Sequence, residues 1–85
     1  MLSNTLISKI ELNNKILVHL ISGDVLSLPY SYTKRIEQSS MSQLLNYHLI
    51  GGGRGIHFDD IDEDISLEGI IDYKLKHELV LSRCA

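Results

Sequence analysis

Residues 49–68 read LIGGGRGIHFDDIDEDISLE, a run of glycines followed by a run of acids. Four of the chain's six glycines lie within five positions, and six of its eleven acidic residues follow. Glycine adopts left-handed backbone angles that a Cβ opposes, so Gly51, Gly53 and Gly55 suit a tight turn. Alternation then sends Ile56 and Phe58 inward and His57 outward, while Ile61 and Ile65 anchor the acidic segment. We expect that segment to feed the start of a final helix capped by Ser66. Asp62 and Asp64 would lie nearest the helix start, where carboxylates are favourable against the dipole. Gly51, Gly53, Gly55, Asp64 and Ser66 are then structural. Arg54, His57, Asp59, Asp60, Asp62 and Glu63 are the candidate partner-facing surface, with Asp59, Asp60 and Glu63 turned to solvent.

Three chemistries compete for the same residues. A dinucleotide loop needs glycine at its first, third and sixth positions, but counting from Gly51 the sixth is Ile56. Asp60, Asp62 and Asp64 have the spacing of a calcium loop, yet Ile65 stands where its glycine belongs and Ile71 where its bidentate glutamate belongs. His57 among carboxylates has the make-up of an acid–base pair for a small hydrolase, but no motif places a nucleophile beside it. No catalytic residue, metal or cofactor is expected.

Working outward, Leu6, Ile10 and Leu12 alternate with Ile7, Lys9 and Glu11 in a half-buried strand over 5–12, followed by Asn13-Asn14 turn chemistry. KILVHLI (15–21) reads as a central strand, and Ser22-Gly23-Asp24 turns the chain into a third strand over 24–28, stopped by Pro29. His19 lies in the central strand, and His48 and His77 are expected at the surface. A helical stretch is expected over 30–45, where Ser40 and Gln43 form a capping box. YHLI follows as a strand over 46–50 and GIHF as a short extended piece. Leu67, Ile70, Ile71, Leu75 and Leu79 follow helical spacing from about residue 66. Beyond residue 73, periodicity leaves both helix and strand open. The expected fold is α+β, an antiparallel meander packed against two or three short helices, with residues 1–85 as one domain.

Composition narrows the function. Hydrophobic residues make up 44% and charged residues 22%, which suits a globular chain. The net charge of −3 does not favour nucleic acid for this chain alone. Residues 1–50 hold four Lys/Arg and three Asp/Glu, and residues 51–85 hold four and eight, so the halves carry +1 and −4. A charged partner would be basic and would meet the second half. Cys84 is the only cysteine, no signal segment is read, and no apolar run approaches the roughly 18 residues of a membrane helix. The expected place is the cytoplasm, with no membrane contact. Meander edges also suit a homodimer.

NYHLIGGGRGIHFDDIDEDISLEGII (46–71) resembles the signature of the bacterial domain-of-unknown-function family 2442. The resemblance rests on Asn46, Leu49, the alternate glycines 51, 53 and 55, Ile56-His57, the run Asp62 to Ser66, and Glu68-Gly69. Upstream, Gly23, Leu28, Pro29 and Arg35 also fit, so it spans about residues 5–72, with 74–85 as an extension. Tyr47 and Phe58 replace two tryptophans, Asp59 a proline, and Ser22 an aspartate. The resemblance implies a small α+β domain and carries no activity with it. Related domains occur alone in mobile and phage-like neighbourhoods, beside a small toxin-like partner, or fused to a helix-turn-helix. It therefore implies a non-enzymatic interaction module, antitoxin-like or inhibitory, with a DNA-associated regulator as the alternative.

Overall fold

The computed structural model describes the backbone of residues 5–84 and the side chains of residues 5–77. Strands β1 (Ile7–Leu12), β2 (Ile16–Leu20) and β3 (Val25–Leu28) form one antiparallel sheet in the order β1-β2-β3. A 3₁₀ turn at Tyr30–Tyr32 leads into α1 (Lys34–Glu37) and α2 (Met41–Leu45). A second antiparallel sheet follows, β4 (Tyr47–Ile50), β5 (Gly55–Phe58) and β6 (Glu63–Ser66), again in sequence order. Helix α3 (Leu67–Cys84) is the last described element. The fold is α+β, with two meanders where one was expected.

Local chemistry accounts for most boundaries. Ser40 Oγ accepts from Gln43 N while the Gln43 side chain accepts from Ser40 N, the expected capping box of α2. The expected helical stretch over 30–45 is broken, because Thr33 is extended and its Oγ1 accepts from Ile36 N, starting α1 afresh. Ser66 Oγ accepts from Gly69 N at 3.0 Å and caps the start of α3.

Strand β1 departs from simple alternation. Ile7 pairs with Leu20 and Lys9 with His19, so Ser8 is an extra residue in a β-bulge. The bulge puts Ile7 and Ile10 on the core side together, although uninterrupted alternation would put them on opposite faces.

The core is continuous across both sheets. Ile10, Ile16, Val18, Leu20 and Leu28 of the first sheet meet Ile56, Phe58 and Ile65 of the second, with Ile36, Leu44, Leu67 and Ile70 from the helices. Among the described residues, direct hydrogen bonds tie the sheets together: Ile7 N donates to Gly53 O at 2.8 Å, and the Tyr47 hydroxyl meets both the N–H and the carbonyl of Ile10 at 3.3 Å. Tyr73 of α3 stands edge-on to Tyr32, with ring centroids 5.0 Å apart.

Candidate functional site

The glycine run is the hinge between β4 and β5. Gly51, Gly52 and Gly53 all have positive φ, and Gly53 O is the acceptor that holds β1. A Cβ on Gly53 would stand 2.7 Å from Ile7 O, so both its backbone angle and its surroundings require glycine. Gly55 is structural for a different reason. Its φ is ordinary, but a Cβ would meet Ile65 O at 3.0 Å.

This turn sets the register Tyr47↔Phe58, His48↔His57 and Ile50↔Gly55. On the other side of β5, His57 pairs with Asp64 and Phe58 with Glu63. Strand alternation therefore puts Tyr47, Leu49, Ile56, Phe58, Glu63 and Ile65 on the inner face. His48, His57 and Asp64 form one row across the outer face. The segment does feed the final helix, as expected, but its last four residues, Glu63–Ser66, do so as a strand. Asp62 and Asp64 do not lie at the helix start, and the acidic residue in the first turn of α3 is Glu68.

The outer row is a chain of histidines and carboxylates. Asp64 Oδ1 is hydrogen-bonded to His57 Nδ1. The other ring nitrogen, Nε2, lies 3.3 Å from Asp59 Oδ1 and 4.0 Å from Asp62 Oδ1. The second oxygen of Asp59 meets His48 Nδ1 at 3.2 Å, and the two imidazole rings lie 5.4 Å apart. The His57 side chain is 23% exposed. The hydrogen bond that Asp64 accepts raises the His57 pKa above the ordinary 6.5, partial burial opposes this, and the charges of Asp64, Asp59 and Asp62 reinforce it.

The other expected partner-facing residues separate. Asp60 is exposed but accepts from Asn46 Nδ2 at 2.8 Å. Asp62 is 91% exposed, with a left-handed backbone at φ 50°. Arg54 is exposed on the turn, its carbonyl accepting from Leu67 N. Glu63, expected in solvent, is half-buried because the register puts it on the core side beside Phe58. Ile61 is half-buried and Ile65 buried, as expected.

Sequence reasoning missed His48 as a member of this row, although a hairpin pairing Ile50 with Gly55 necessarily sets His48 opposite His57. It also missed what Arg35 does: its Nη1 donates to the carbonyls of Ile61 and Asp62, both at 3.1 Å, and pins the acidic turn from α1. His19 pairs with Glu11 in the first sheet, and His77 is exposed with its ring on Tyr73.

Among the described residues the hydrogen bond of the His57 ring is to a carboxylate, that of Asp64. No group of three or more His, Cys, Asp and Glu among these residues is arranged to hold a metal ion. No helix among them is long and apolar enough to cross a membrane.

The model of the family described as "Protein of unknown function (DUF2442)" matches residues 9–76. The chain belongs to that family. The DUF2442 match ends at Lys76, beyond the expected limit at residue 72, and helix α3 continues through that point. No curated protein matches the chain. A crystal structure of a protein of unknown function from Rhodospirillum rubrum ATCC 11170 is similar, with TM-score 0.74 and 25% identity over 81% of this chain and 87% of that one. A solution NMR structure of an uncharacterized protein from Chromobacterium violaceum has TM-score 0.73 and 18% identity, covering 89% of this chain and 77% of that one. The second likeness is one of fold alone.

Proposed function

We propose that this DUF2442 domain is a non-enzymatic protein-interaction module whose acidic β5–β6 region docks on a basic protein surface. One observation carries the reading: Asp59, Asp60, Asp62 and Asp64 are all exposed on and beside an outer sheet face that bears His48 and His57. Closely spaced carboxylates make a field that speeds encounter with a basic patch and repels acidic ones. The net charge of −3 supports the same choice over nucleic acid. Within this reading the domain is the inhibitory, antitoxin-like half of a two-protein pair, with its place of action in the cytoplasm.

The test compares capture from native lysate by the wild-type chain and by Asp60→Asn/Asp62→Asn. A captured basic protein should dissociate as salt rises, and the double variant should retain several-fold less of it. If both folded baits capture the same protein equally at low salt, the acidic region is not the docking surface. Salt-sensitive binding of the isolated chain to duplex DNA would replace this reading with the regulatory one.

A further inference from the structure

Both ring nitrogens of His57 face carboxylate oxygens, Asp64 at Nδ1 and Asp59 with Asp62 at Nε2. Neutral imidazole has one N–H and one lone pair, so it satisfies one side and presents a lone pair to an acceptor on the other. Only the imidazolium donates from both nitrogens. We propose that protonated His57 is a latch that ties strand β6, through Asp64, to the 59–62 turn, through Asp59, and that loss of its proton releases the turn.

The ionisable groups facing His57 come from every neighbouring element: Asp64 from β6, Asp59 and Asp62 from the turn, and His48 from β4. Without its proton, the His57 ring no longer offsets the three carboxylates that converge on it, those of Asp59, Asp62 and Asp64. Arg35 reaches the same turn from α1 and holds its backbone through the main-chain carbonyls of Ile61 and Asp62. The turn also contains the strained member of the segment. Asp62 has φ 50°, a conformation that side-chain-bearing residues adopt uncommonly, and opening the turn relaxes it.

The direction follows from linkage. The folded-state pKa of His57 is raised, so the latch is closed below the unfolded value near 6.5 and opens as pH rises through the folded value. Acid closes it.

The test uses the full chain alone and is independent of the partner proposed above. NMR would follow the His57 ring through its titration, while amide hydrogen exchange at residues 59–64 is measured across the same pH range and corrected for intrinsic rates. His57 should titrate above 6.5, and protection of 59–64 should fall along the same curve. The fold-loss should match the ratio of His57 acid constants in the closed and open states. Asp64→Asn should move the His57 titration down toward 6.5 and shrink that loss. His57→Gln should leave the protection of 59–64 low and flat with pH; if this variant does not fold, the wild-type and Asp64→Asn curves decide. A His57 that titrates at or below 6.5, or turn protection that ignores its titration, overturns the latch.

Discussion

At Gly53 two requirements coincide: φ is +104°, and a Cβ would lie 2.7 Å from Ile7 O, the strand residue whose N–H bonds to Gly53 O. Backbone strain alone costs about 1–3 kcal/mol and the clash adds to it, so Gly53→Ala should destabilise by at least that, and a chemical-denaturation midpoint would read it. If Gly53→Ala melts like wild type, the tie to β1 is not a constraint on the fold. His57 makes a prediction of opposite kind, because its effect depends on pH. With its folded-state pKa raised, its stabilising contribution is complete below about 6.5 and disappears as pH rises through the folded value. Denaturation midpoints of the wild type should fall across that window, and His57→Gln should remove that part of the slope. An unchanged slope in the variant would assign the pH dependence to another group.

At the scale of elements, the hairpin β4–β5 does two jobs. Its outer side holds the histidine row, and its inner side puts Tyr47 over Phe58, with ring centroids 6.4 Å apart. The Tyr47 hydroxyl then reaches both main-chain groups of Ile10. Tyr47→Phe keeps the ring and removes this link between the sheets, so a loss of about 1 kcal/mol with an unchanged denaturant slope is expected. No change would mean that water substitutes for the hydroxyl without cost. The elements differ in how far local sequence revealed them. The first meander showed in KILVHLI and its flanking turns, and the α2 and α3 caps showed in Ser40, Gln43 and Ser66. Strand β6 did not show, because EDIS has one buried apolar residue, Ile65, and its charges suggest a helix lead-in. Its pairing with β5 supplies the order that its own side chains do not.

Across the whole molecule, charge is separated from packing. Asp60, Asp62 and Glu68 are exposed, and neutralising all three would bring the net charge from −3 to 0 (−3 + 3). Asp60→Asn, Asp62→Asn and Glu68→Gln should each change stability by within about half a kcal/mol, as surface substitutions usually do. Asparagine suits position 62 because it tolerates the left-handed backbone there, which lysine would strain. With a basic partner in hand, stopped-flow association of the triple variant should be slower than wild type at low salt and should converge with it at high salt. A rate that is unchanged at low salt would remove electrostatic steering from the account.

Local interactions fall within a few residues along the chain, so the sequence by itself determined the α+β class, the strands of the first sheet, the glycine turn, the two caps and the acidic bias of the second half. What depends on how one strand registers against the next came only with the folded sheets. Register across β4, β5 and β6 decided that His48 joins His57, that Asp64 faces it and that Glu63 turns inward. The bulge at Ser8, which follows from the pairing of β1 with β2, decided that Ile7 shares the core with Ile10. A one-residue change of register reverses every side chain on a strand, and composition along a single segment does not specify which register its partner imposes.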